Sequence, residues 1–205
     1  MKKALSVLKY LALSVLVVSF LSSCRGNTSR DFSNDYTIDV NLQNYIPQLS
    51  TEKYQKFQGK KFCMSNIRNS ARNTSNFSFY SRDSKIRYQL SSQPNYSAPQ
   101  LLQSYFWYAY QKAFLKAGLH VGDDCSQENI PELWIVLQFF DDEEVQFKIT
   151  LLKNREAVYE KDMVVTIAPA SSRNSKALQK RAYEITDLTV LKILDEPGFQ
   201  DVIMK

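Results

Sequence analysis

PELWIVLQFFDDEEVQFKITLLKNREAVYEKDMVVTI, residues 131–167, alternates apolar and polar side chains through three successive runs. Leu133, Ile135, Leu137 and Phe139 share one face of the first run, and Val145, Phe147, Ile149 and Leu151 share one face of the second. Successive side chains of a strand point to opposite faces, so each run reads as a half-buried strand. Glu144, Gln146, Lys148 and Thr150 fall on the other face, toward water. The polar stretches DDE (141–143) and KNRE (153–156) supply the turns. The third run, AVYEKDMVVTI, breaks its pattern near Lys161-Asp162, which predicts a bulge there. The stretch predicts a three-stranded antiparallel meander with one wet face and one dry face.

The dry face needs a cover, and two flanking segments have helical spacing. In SAPQLLQSYFWYAYQKAFLKAG (97–118), Leu102, Phe106, Ala109, Ala113 and Ala117 share one face. Ser97 reads as the N-cap, Pro99 as part of the first turn and Gly118 as the stop. Tyr105, Trp107, Tyr108 and Tyr110 widen the apolar surface almost around the helix. A helix that only covered a sheet would not need them, so the helix meets another element or another subunit as well; these four are the candidate partner-binding aromatics, with core packing as the alternative for at least half of them. SKALQKRAYEITDLTVLKIL (175–194) carries a second stripe, Leu178, Ala182, Ile185, Leu188 and Leu191, and Pro197-Gly198 ends it. Lys176, Lys180 and Arg181 fall on its wet face. Upstream, YTIDVNL (36–42), KKFCMSNIR (60–68), FSFY (77–80) and KIRYQL (85–90) read as shorter strands. The expected fold is α+β: a two-layer sandwich, a mostly antiparallel sheet with two main helices packed on one face. The domain spans 35–205, with its core over about 60–194.

The chain opens on an address. Lys2, Lys3 and Lys9 flank a start that leads into Tyr10–Leu21, which carries no charge. That run is shorter than the roughly 20 apolar residues of a spanning helix. A basic start, a short apolar run and small residues describe a secretory signal peptide, 1–23. It ends in Leu21-Ser22-Ser23-Cys24, which resembles the bacterial lipobox. In that motif the cysteine thiol takes a diacylglycerol thioether and the peptidase cuts before it, so Cys24 is the expected lipidation site. One acyl chain alone binds a membrane marginally, and bacterial lipoproteins carry two or three. Residues 24–34 are polar and read as a flexible tether. Arg25 stands where an Asp would resemble an inner-membrane retention signal, which favours the outer membrane, facing the periplasm.

Composition narrows the chemistry. Lys and Arg number 26 against 21 acidic residues, and the three signal lysines leave 23 against 21. Nothing in that balance asks for nucleic acid. Glycine is scarce, at 5 residues, which disfavours phosphate loops. Cys63 and Cys125 can form a disulfide in an oxidising compartment or remain two buried thiols; the sequence leaves both open. His120 is the single histidine and serves as a base only if Cys125 or a serine folds onto it. The acidic run Asp141-Asp142-Glu143-Glu144 sits in a hairpin and reads as solvated charge. CxxC, HExxH, GxSxG and Walker patterns are absent from the sequence. No catalytic residue, metal or cofactor is expected, and the chain reads as non-enzymatic.

YSRDSKIRYQLSSQPNYSAPQLLQSYFWYAYQKAFLKAG (80–118), the meander and the closing helix together resemble the ABC-type transport auxiliary lipoproteins of Mce-type lipid transport systems. Arg82 or Arg87, Tyr88, Pro99, Leu101 and Leu102 fit the family pattern, and Tyr96 stands where the family carries Trp. The resemblance covers Lys60 to Leu194. It implies a lipid-anchored accessory subunit whose partners are the membrane, through Cys24, and the protein subunits of an envelope transport complex. Self-association stays open. At this level the chain is also similar to the lipoprotein plug of lipopolysaccharide assembly, and a surface-exposed ligand-binding lipoprotein is a third reading.

Overall fold

The structure is a computed structural model and describes residues 36–205 apart from Ser84, Pro94, Asn95, Glu128 and Ser171. The signal segment, Cys24 and the tether lie outside the described residues. β1 (Tyr36–Asn41), β2 (Lys61–Met64), β3 (Arg68–Asn69), β4 (Ser78–Tyr80), β5 (Ile86–Gln93) and β6 (Tyr96–Pro99) precede helix α1 (Leu102–Lys116). β7 (His120–Gly122), β8 (Glu132–Phe140), β9 (Glu144–Lys153) and β10 (Glu156–Thr166) lead to α2 (Ser175–Leu194) and α3 (Pro197–Met204).

The fold is α+β. The meander forms as the alternation predicts as far as Leu137: β8, β9 and β10 pair antiparallel, with Ile135 opposite Ile149 and Phe147 opposite Met163. A bulge between Leu137 and Phe139 then reverses the phase of β8, so Phe140 is buried in place of Phe139. The bulge expected in β10 lies between Ala157 and Tyr159 rather than at Lys161-Asp162. It brings Tyr159 to the side from which it packs on the core. The sheets are mixed rather than purely antiparallel. β1 pairs parallel with β5, whose other side carries β4 and β6. β2 pairs parallel with both β7 and β8, and β3 joins β8 beyond it. A bridge from Tyr80 to Asp141 connects the two sheets. Parallel pairing leaves no local mark in a sequence, because the partners lie far apart along the chain.

α1 starts later than the sequence predicts. Ser97 and Pro99 belong to β6, where Pro99 stands opposite Ser91 on a short outer strand that tolerates its missing N–H. The helix begins after Leu101, and the Leu102 N–H donates to the Asn76 carbonyl at 2.7 Å. Its end is as expected. Gly118 takes φ +93°, its N–H reaches the Leu115 carbonyl, and the Leu119 N–H reaches Phe114, a Schellman closure. α2 opens on Asn174, whose side chain accepts from the Ala177 N–H at 2.8 Å. Pro197 does more than stop α2: it sits in the first turn of α3, where its fixed φ is favourable. α3 buries Phe199 and Ile203, and Ile38, Val40, Tyr54 and Phe57 join from the other end. One continuous core results, extending beyond 60–194 at both ends.

Candidate interaction surface

α1 lies deep, between the sheets and α2. Tyr105 and Tyr110 are 1% and 0% exposed, so they are core residues and not partner anchors. Their positions fall on the face that also buries Leu102, Phe106, Ala109 and Ala113. Trp107 is half-buried and donates its Nε1–H to the Met64 carbonyl at 3.0 Å. Tyr108 alone of the four is exposed, at 48%.

Tyr108 has company that the sequence reading missed. Leu101 is 47% exposed and Leu115 48% exposed. Tyr108 and Leu115 are seven residues apart, which is two turns of helix, so they align on one side about 10 Å apart, and Leu101 is the capping residue just before the first turn. That spacing of seven was the signal, obscured by the denser aromatic run beside it. α1 contains no acidic residue, and Lys116 lies exposed at its negative end. The visible side of this helix is therefore a narrow apolar stripe with a basic end.

Lys112, one turn from both Tyr108 and Leu115, folds inward. Its Nζ donates to the carbonyls of Tyr45 at 2.7 Å and Leu42 at 3.1 Å. Burial holds its pKa below the ordinary lysine value. The loop after β1 is thereby tied to α1, with Ile46 exposed upon it. Ile46, Tyr183, Leu188 and Leu191 line an open groove of about 570 Å³ between this loop and α2. At its base the Tyr45 hydroxyl donates to Asp187 Oδ1 at 2.6 Å and the Gln48 N–H to Oδ2 at 3.1 Å. Burial raises the pKa of Asp187 despite both bonds.

The acidic hairpin is not solvated charge. Asp141 and Asp142 are 2% and 5% exposed. Asp141 Oδ1 accepts the N–H groups of Glu143 and Glu144, each at 2.7 Å, and so shapes the turn. Asp142 accepts the Arg82 N–H at 3.1 Å and the Tyr88 hydroxyl at 2.9 Å, both from the other sheet. Arg82 reaches Asp141 at 3.2 Å and Glu144 at 2.9 Å. A bond from Gln146 and the one from Arg82 hold Glu144 below the usual carboxylate range. Arg181, expected on the wet face of α2, is 7% exposed; it lies 3.7 Å from Asp142 and donates to the Ala168 carbonyl at 2.6 Å. Lys176 and Lys180 are exposed.

Cys63 and Cys125 are joined in a disulfide with Cα atoms 5.3 Å apart, Cys63 buried in β2 and Cys125 on an exposed segment. Cys125 is thereby not a free nucleophile for His120, which is exposed on β7. Among the described residues, no group of three or more His, Cys, Asp or Glu is arranged to hold a metal ion. Among them, no helix is long and apolar enough to cross a membrane.

The fold is similar to that of protein XCC0632 from Xanthomonas campestris, of the DUF330 family. That crystal structure aligns with a TM-score of 0.51 and 14% sequence identity, over 82% of this chain and 95% of that one. The crystal structure of an uncharacterised protein aligns over 67% of this chain and 92% of its own, with a TM-score of 0.44 and 9% identity. No family model and no curated protein matches the chain.

Proposed function

We propose that this protein is a lipid-anchored, non-enzymatic accessory subunit of a bacterial envelope lipid-transport system, docking on a protein partner through the outer side of α1. The observation that carries the reading is the exposed pair Tyr108 and Leu115, with Leu101 just ahead of the first turn, on a helix whose other large apolar side chains are buried or half-buried. An apolar stripe kept in water on a buried helix is what an interface needs, and aromatic residues are favoured anchors there. The Leu21–Cys24 lipobox supports lipid anchoring, and Arg25 in place of an Asp after it supports the outer membrane, facing the periplasm. The resemblance to the auxiliary lipoproteins supports the kind of machine. The likeness to XCC0632 supports the fold and speaks to no function.

The test is affinity capture from native membranes through a C-terminal tag, with Cys24 intact, beside a Tyr108→Ser/Leu115→Ser variant. The expected result is recovery of permease, ATPase or Mce-type subunits by the parent chain, and their loss with the variant at unchanged thermal stability. Recovery of an outer-membrane β-barrel would move the assignment to the assembly plug. Equal recovery of transport subunits by the variant would remove α1 from the interface.

A further inference from the structure

Leu188 and Leu191 belong to the stripe that the sequence assigns to the core, yet both are only half-buried. They line the groove between α2 and the loop after β1. The α2 wall is one helix face at three- and four-residue spacing: Lys180, Tyr183, Glu184, Asp187, Leu188 and Leu191. Asn44, Ile46 and Gln48 form the facing wall, with Ile46 71% exposed.

Asp187 is the anomaly in this wall. It is 6% exposed, and among the described residues no cation lies within ion-pair distance of it. Buried charges are ordinarily paired, because taking a carboxylate out of water is costly. Both of its bonds are accepted, from the Tyr45 hydroxyl on Oδ1 and the Gln48 N–H on Oδ2, which is the arrangement of an ionised carboxylate. Each oxygen keeps capacity for another donor. Glu184, one turn back, acts on it with a like charge. Lys180, the base of the lining, stands two turns from Asp187, about 10 Å along the helix. Lys112, across the loop, is spent on the carbonyls of Leu42 and Tyr45. Lys192 is exposed five residues on, which turns it to another side of α2.

The wall chemistry selects the occupant. Ile46, Leu188, Leu191 and the Tyr183 ring surround a carboxylate without a countercharge, and an apolar segment carrying one cation complements both. A guanidinium suits the position better than an ammonium, because its planar fork can address both carboxylate oxygens and it is more weakly hydrated. Small-molecule sites enclose most of their ligand's surface, whereas this groove is open, which favours a side chain borne on a protein segment. We propose that the groove docks a segment of a partner protein that inserts an arginine over Asp187 and lays flanking apolar side chains on Ile46, Leu188 and Leu191. The site is built by α2 and the loop after β1, and it does not rest on the α1 docking assignment.

The experiment probes the full-length chain, in a non-ionic detergent, with an array of short synthetic peptides that each carry one arginine among leucine, isoleucine, phenylalanine and serine. Retained peptides are remade with citrulline, which keeps the shape of arginine and removes its charge, and both forms are titrated by fluorescence anisotropy. The expected result is binding at least tenfold weaker for the citrulline form on the parent chain, and a difference under threefold on Asp187→Asn. Ile46→Ser and Glu184→Gln change exposed side chains, so they report on binding even if Asp187→Asn does not fold. Each is expected to weaken the arginine form at least threefold. No peptide retained by the parent, equal binding of the two forms, a tenfold difference that persists on Asp187→Asn, or parent-like binding by either exposed variant overturns the proposal.

Discussion

Gly198 is a position where one added methyl group decides the packing. A Cβ built there overlaps the ring of Tyr159. That ring cannot swing aside freely, because its hydroxyl donates to Glu196 Oε1 at 2.5 Å. Burial and this carboxylate push the Tyr159 phenol up to about 12. Gly198→Ala is expected to lose about 2 kcal/mol by urea denaturation, the usual scale of overpacking. Tyr159→Leu removes the ring, so the double variant should lose less than the sum of the two singles. Strict additivity would show that the ring is not what Gly198 accommodates. Asp187 makes a different residue-scale prediction. Its folded pKa is raised, chiefly by burial, against the bonds from Tyr45 and Gln48. The folded chain therefore binds more protons than the unfolded one just above the ordinary Asp value of about 3.9. Stability contributed by this group falls as pH rises through that window. Asp187→Asn keeps an acceptor for Tyr45 and removes the charge. Its Tm should decline less than the parent's from pH 4 upward; an equal decline would assign the titration to another group.

β10 forms an outer edge of its sheet, and an exposed edge invites pairing with another chain. Two features guard it. The bulge after Ala157 distorts the edge, and Lys161, opposite the buried Ile149, is a charge on the core-facing side of the strand. β1 is guarded by α2 instead: Gln179 donates to the Asp39 carbonyl at 2.7 Å and Tyr183 to Asn41 at 2.8 Å. Lys161→Val is expected to give concentration-dependent dimers or larger species by sedimentation velocity, with an unchanged circular dichroism spectrum. A profile matching the parent at every concentration would take Lys161 out of that role. The same strand shows what a sequence can and cannot say about an element. Period-two alternation was enough to read β8, β9 and β10 as strands, because one face of each meets the core, but it missed the bulge that buries Phe140 in place of Phe139. Lys161-Asp162 looked like a bulge because charge interrupts the pattern, yet the interruption belongs to the edge. Ser97 and Pro99 looked like a helix start because cap chemistry is local. The competing contact, β6 on β5, depends on a partner strand that the local pattern does not reveal.

The two sheets meet at a handful of buried charges, and this is the part of the molecule least visible in the chain. The meander, both main helices and the Gly118 closure follow from hydropathy and turn chemistry over short windows. The Asp142 cluster follows from none of these: Tyr88 comes from β5 and Arg82 from the turn between β4 and β5, Asp142 from the other sheet's hairpin and Arg181 from α2. Hydropathy places all the charged members in water. Arg82 does stay exposed, but only the assembled fold supplies the partners that allow the burial of Asp142 and Arg181. The candidate surface divides the same way, since Tyr108 was readable and the burial of Tyr105 and Tyr110 was not. The cluster makes a whole-molecule prediction. Asp142→Ala leaves the Arg181 guanidinium buried beside a lost carboxylate, and removing one member of a buried pair typically costs about 3–5 kcal/mol. Arg181→Met leaves Asp142 its bonds from Tyr88 and the Arg82 N–H, so it should cost less. A well-packed apolar replacement of both charges is often neutral or better, so Asp142→Ala/Arg181→Met should recover much of the single loss. A double-mutant cycle by chemical denaturation measures the coupling directly. Coupling above about 1 kcal/mol would identify the pair as what locks α2 to the junction of the sheets. A double variant as unstable as the sum would mean that Asp142 acts through Tyr88 and Arg82 alone, with Arg181 held by the Ala168 carbonyl.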